Sequence, residues 1–224
     1  MVLLAVSLAG YGQEEEADGK LTVEVGADMV SSYVWRGMYQ AGASIQPSIS
    51  LSTSGITLGA WGSTAFSTSF KEIDLSLSYE YGSLWASISD YWWSGEGEPY
   101  FKHARGTHHL EVSLGFTFPK KFPLSLEVST MLCGDDDKDD KGRPYYSTYL
   151  SATFPFSVGK VDCEAGMGIT PGKGMYSDRF DVAAITTRVT KKLQLSVNHT
   201  LPVFVELVLS PVQGNAYLVF GIQF

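Results

Sequence analysis

The sequence predicts an all-β fold, a transmembrane antiparallel up-and-down barrel of about twelve strands, and three observations carry that expectation. From residue 20 onward, apolar and polar residues alternate in segments of about ten, the length a tilted strand needs to cross a bilayer. The polar half of the alternation is mostly Ser, Thr and Gly with scattered acids, which suits a crowded, enclosed lumen better than a solvated face. The connections alternate short and long, as in barrels with tight turns at one end and loops at the other.

The first segment sets Leu21, Val23 and Val25 against Thr22, Glu24 and Gly26. Ile45–Leu51, Ile56–Trp61, Ile73–Glu80, Leu84–Ser89 and Leu110–Phe116 continue the rhythm, with Leu75, Leu77 and Ile88 among the outward residues. Leu124–Ser129, Ser147–Phe154 and Val161–Gly168 follow. A tenth segment, Phe180–Val189, is read with Ala183, Ile185, Thr187 and Val189 outward, which turns Arg188 inward. Leu193–Asn198 and Ala216–Phe224 complete twelve. Short links fall at 52–55, 81–83, 119–123, 155–160 and 190–192, and long ones at 35–43, 91–107, 134–145, 171–179 and 201–214. An even strand count then puts both ends of the barrel chain on the short-turn, periplasmic side.

The composition describes one domain and excludes other classes. A formal charge of −8, with basic doublets only at Lys120-Lys121 and Lys191-Lys192, both assigned to turns, argues against a nucleic-acid partner. No run reaches the roughly 18 apolar residues of a membrane-spanning helix. Residues 2–9 are apolar and lead to the small residues Ala9, Gly10 and Gly12, then to Gln13 and three glutamates. Residues 1–12 therefore read as a signal peptide without its basic start, 13–19 as a short periplasmic segment and 20–224 as the barrel. Cys133 and Cys163 have opposite side-chain parity near opposite strand ends, and both are expected to be free.

Alternation alone also fits a sandwich or a lipocalin-like barrel, so the aromatic residues matter. They gather at two levels: Tyr33, Trp35, Tyr91, Trp92, Trp93 and Tyr146 at the loop end, and Tyr79, Tyr81, Phe116, Phe118, Phe154 and Phe156 at the turn end. The chain closes on an amphipathic strand ending in Phe224, similar to the signal read by the barrel-insertion machinery. These features place the barrel in an outer membrane, among its lipids and lipopolysaccharide.

The block Ser31-Ser32-Tyr33-Val34-Trp35-Arg36-Gly37-Met38-Tyr39-Gln40, followed by Ile45-Gln46-Pro47-Ser48 and Gly59-Ala60-Trp61-Gly62-Ser63, resembles the TorF-type putative porins of bacterial outer membranes. The resemblance covers about the first third of the chain. It implies an outer-membrane barrel with a pore function and supplies no catalytic residues. Members often carry Ser-Gln after the Arg-Gly pair, where this chain reads Met38-Tyr39-Gln40.

In the predicted register Glu24, Asp28, Asp74, Glu80, Glu111, Glu127, Asp162 and Glu164 line the lumen, with Arg36 and Arg188 the basic residues near them. Such a lumen favours small cations, since confined carboxylates attract counter-ions. Several of these acids also fit the bland role of keeping the strand ends wet. Arg36 either folds into the mouth to pair with an acid such as Asp28 or anchors a strand end at the interface. Asp135, Asp137 and Asp139 are spaced like half of a calcium loop, but the expected glycine is Asp140 and no closing Glu follows, so a solvated acidic loop is the better reading.

His103, His108 and His109 lie beside the longest loop without a ligand set, and no cofactor is expected. An outer-membrane lipid hydrolase would need an outward Ser beside an outward His, and His199 has no evident Ser partner on the neighbouring strands. The expectation is a passive, non-enzymatic channel for small hydrophilic solutes and ions. Its mouth is covered by 91–107, and Trp61, Trp85 and Tyr149 narrow its interior. The competing expectation is a closed barrel serving as an anchor or complex partner, with the apolar stretch 201–211 as its contact patch, although that stretch fits an extension of the eleventh strand equally well.

Overall fold

The computed structural model describes residues 19–94, 99–101, 107–119, 121–197 and 199–224. Its strands are β1 (Thr22–Val30), β2 (Tyr33–Trp35), β3 (Met38–Ala41), β4 (Ser44–Thr53), β5 (Ile56–Ala65), β6 (Lys71–Tyr81) and β7 (Leu84–Ser94). There follow β8 (His108–Thr117), β9 (Ser125–Cys133), β10 (Thr148–Val158), β11 (Val161–Thr170), β12 (Asp181–Ser196), β13 (His199–Ser210) and β14 (Asn215–Gln223). Twelve of them, β1 and β4 to β14, form a closed antiparallel barrel in chain order, while β2 and β3 form a separate hairpin. The barrel closes where Asp28, Met29 and Val30 of β1 face Gln223, Ile222 and Gly221 of β14. The predicted fold class is the observed one.

The alternation sorts side chains by solvent. Ile49, Leu58, Leu77, Ile88, Leu114, Leu207 and Leu218 stand exposed on the outer wall, whereas Ser44, Gln46, Ser63, Asp74, Ser89, Ser113 and Ser129 are buried within. A polar interior inside an apolar exterior inverts the arrangement of a water-soluble domain, so the outer wall requires an apolar surrounding. No described helix is long and apolar enough to cross a membrane; the strands are the elements that fit one. At the short-turn end Phe116, Phe118, Phe122, Phe154 and Phe156 touch in series around the wall.

The twelve-strand count matches expectation through two compensating differences. The segments expected at 180–189 and 193–198 are one long strand, β12, so 190–192 is not a turn and Lys191-Lys192 lies within the strand. The stretch expected as a loop at 201–214 is mostly β13, paired along β12 from Ile185↔Leu209 to Leu193↔Leu201. Its inward residues include Phe204 and Val208, both buried, so apolar side chains on both faces hide its alternation. Ala183 does not face outward: the register shifts between Gly168 and Ile169, and Ala183 is fully buried against the interior. Ile185 and Val189 are exposed on the outer wall, as expected. Cys133 and Cys163 are both free. The proposed signal peptide lies outside the described residues, as do His103 and most of the 91–107 loop.

Candidate functional site: a hairpin inside the lumen

The link between β1 and β4 does not stay outside. It forms the β2–β3 hairpin, whose turn, Arg36-Gly37, holds φ of 50° and 81°. Two consecutive left-handed residues make the tight two-residue turn that suits the twist of a hairpin. Gly37 is needed twice over, because a Cβ there would also run into the carbonyl of Ala183.

Alternate residues of β2 touch opposite walls. Tyr33 and Trp35 pack into a cluster with Ala65, Tyr91, Met131, Tyr149, Tyr176 and Ala183, while Val34 packs toward Val30, Phe204 and Val219. Trp35 is 2% exposed and has ring neighbours at 5.2 Å (Trp93), 5.9 Å (Tyr91) and 5.9 Å (Tyr176). Tyr33 lies 5.5 Å from Trp61. Tyr33, Trp35, Tyr91 and Trp93 therefore do not belong to an interfacial aromatic belt; they fill the loop-end half of the lumen. Tyr146 is exposed, as a belt residue would be, and Trp92 is buried 5.5 Å from Tyr100.

The hairpin tip is held by charge. Arg36 donates to both carboxylate oxygens of Glu111 on β8, at 2.6 and 3.0 Å, and Nη1 also donates to the Tyr176 hydroxyl at 2.5 Å. Tyr91 donates to the same carboxylate at 2.8 Å, and Glu127 lies 3.8 Å from the guanidinium. The guanidinium carbon sits 4.6 Å from the Tyr149 ring and 4.9 Å from that of Trp35. Buried bidentate pairing, further hydrogen bonds and stacking together offset the cost of taking these charges out of water. The Tyr149 ring reaches over Gly168, the partner of Ser151, where a Cβ would collide with it. Tyr176 arrives from the β11–β12 loop, where burial pushes its phenol well above the usual tyrosine range, Arg36 opposing the rise. That loop is laced to its neighbour: Met175 N–H donates to Ser147 Oγ at 2.7 Å, and Ser147 in turn donates to the buried carboxylate of Asp137.

The predicted lumen residues separate into groups. Arg36 does enter the lumen, but its partner is Glu111 across the barrel; Asp28 instead accepts from Gln223 at 3.4 Å near the seam. Arg188 faces inward and pairs with Glu206 at 2.7 Å, with its guanidinium carbon 4.2 Å from Phe204. The sequence pattern puts Glu206 in the stretch read as a loop, whereas it lies on β13 opposite Arg188. Glu164, half-buried, lies beside the Arg188 pair, and Glu127 accepts from Ser129 at 2.5 Å. Glu24, Glu80 and Asp162 are exposed toward the short-turn rim. Asp74 and its neighbour Glu72 are buried on β6, 6% and 2% exposed.

The acidic loop does not gather its carboxylates. Asp135 pairs with Lys138, Asp137 holds Ser147, and Asp139 accepts the backbone N–H of Arg143 and Lys141 while pairing with the Arg143 side chain. Those backbone donors hold Asp139 below the usual carboxylate range. Among the described residues no three His, Cys, Asp or Glu side chains converge as a metal set. His199 does have a serine near it, Ser196 Oγ at 3.1 Å from Nδ1. Both are exposed, three residues apart across the β12–β13 turn, and among the described residues no carboxylate is bonded to that imidazole. The contact closes a turn and lacks the orienting group of a catalytic triad.

No protein-family profile matches the chain, and no curated protein does. Among solved structures, three mutant forms of the Rhodopseudomonas blastica porin are similar at 11% identity. Their TM-scores are 0.39, 0.40 and 0.39, each covering 91% of this chain and 73% of the porin.

Proposed function

We propose that the protein is an outer-membrane channel of the porin type, admitting small hydrophilic solutes with a preference for cations, and that the β2–β3 hairpin sets the width of its passage. The observation that carries this reading is an apolar-out, polar-in barrel whose acid-bearing lumen is crossed by one charge-anchored hairpin. The TorF-type resemblance fits the same reading, since its Tyr-Val-Trp-Arg-Gly block is the hairpin and its Gln46 and Trp61 stand on the wall beside it. Lipids, lipopolysaccharide and insertion through the Phe224-terminated strand are the partners this reading assigns.

A second reading is a closed barrel acting as an anchor, and the filled loop-end lumen favours it. Single-channel recording of the refolded, heat-modifiable protein under a KCl gradient separates the two. Small, stable steps with a cation-directed reversal potential support the channel, and silence from a verified barrel supports the anchor.

A further inference from the structure

On β6, Glu72 and Asp74 face the interior on the same side of the strand, immediately behind Tyr33 of the hairpin. Glu72 accepts one hydrogen bond, from Trp93 Nε1 at 2.6 Å. Among the described residues its second oxygen and both oxygens of Asp74 are buried with no donor bonded to them, and the two carboxylates lie within reach of each other. None of the ion pairs among the described residues involves either carboxylate. Two carboxylates buried side by side are costly when both are charged and, among the described residues, have no cation paired with them, so something must neutralise them.

Two further groups point to a bound ligand independently of the acids. The Tyr33 hydroxyl, 3% exposed, is directed at Glu72 and within its reach. The Ser89 hydroxyl, also 3% exposed, is unpartnered on β7, one diagonal step from Asp74, since Asp74 faces Tyr91 and Ser76 faces Ser89. Carboxylate and hydroxyl oxygens make a hard, all-oxygen ligand set. With only two acids and no imidazole or thiolate, it suits the flexible, water-completed coordination of calcium and not a transition metal.

We propose that Glu72 and Asp74, with the Tyr33 and Ser89 hydroxyls, bind a hard divalent cation of the calcium class between the hairpin and the barrel wall. The ion neutralises the pair and ties β2 to β6. The site belongs to the folded barrel whether or not the lumen conducts.

The test uses barrel refolded in EGTA and then titrated with Tb3+, whose emission is sensitised by nearby indole, here Trp93. Emission that Ca2+ displaces, that D74N and E72Q abolish and that D135N/D136N in the acidic loop leaves intact supports the site. A Ca2+-dependent rise in the unfolding temperature of the stripped wild type is a second readout that requires no variant to fold. Absence of emission or of that rise in the wild type, as a pair neutralised by a shared proton would give, overturns the proposal. So does emission lost with the loop acids and kept in D74N and E72Q.

Discussion

Arg36, at the tip of a hairpin rooted between β1 and β4, grips Glu111 on the far side of the barrel through two hydrogen bonds, of 2.6 and 3.0 Å. A link that would otherwise lie outside as a loop thereby becomes a partition across the lumen. Both side chains are almost fully buried, so each is the other's main electrostatic support.

Removing one partner leaves the other charged, buried and unpaired. R36M and E111Q are each expected to cost about 3–5 kcal/mol of stability. The double variant R36M/E111Q should cost clearly less than the sum, because no orphaned charge remains. Urea unfolding of the refolded barrel in detergent reads the cycle, and strict additivity would show that the pair does not act as a unit.

Gly37 is held at positive φ against the Ala183 carbonyl on β12, whereas Gly142 has φ of 75° with open space around it. G37A should therefore lose the backbone term of about 1–3 kcal/mol and in addition displace the hairpin tip, while G142A loses at most the backbone term. Comparison of their unfolding midpoints and of channel noise tests this. Equal effects in the two variants would mean that the tip does not press on Ala183.

The Arg188–Glu206 pair places fixed charges on the interior wall of β12 and β13. R188Q should leave Glu206 and Glu164 unanswered and move the reversal potential toward stronger cation preference, and E206Q should move it the other way. Shifts of the same sign in both variants would count against a path along this wall.

Tyr176 gives a pH dependence with a definite sign. Its folded pKa is raised by burial, so its contribution is complete below the unfolded tyrosine value of about 10 and is lost as pH rises from there toward the folded value. Relative to Y176F, the wild type should lose stability as pH climbs above about 10 and be flat below it. Parallel curves for the two proteins in alkaline unfolding experiments would contradict the assignment.

Much of the barrel was legible in the sequence because most wall strands place apolar residues on one face and small or polar ones on the other, as in Leu75-Ser76-Leu77-Ser78. Where tertiary contacts ask for something else, the period misleads. In β13, Phe204 packs inward over Gly221, and Val208 is buried as well, so the strand reads as an apolar run. Lys191 and Lys192 look like turn residues but lie on β12, opposite Val203 and Pro202 of β13.

The hairpin obeys the same period as the wall, so alternation cannot tell that Tyr33 and Trp35 leave the sheet. The usable signal was Arg36-Gly37 flanked by alternating aromatics, a hairpin-turn pattern. Entry of Arg36 into the lumen is one of the two readings that the sequence supports equally. Its partner, Glu111, is not legible there, because the two are 75 residues apart and only barrel closure brings them together.

Whether the hairpin narrows the lumen is read directly by single-channel conductance before and after its excision. Replacing residues 32–42 by a short Gly-Ser link should leave a heat-modifiable barrel whose conductance steps are several-fold larger than those of the wild type. Steps of unchanged size in a correctly folded excision variant would contradict that narrowing, since the solute path would then not pass the hairpin at all.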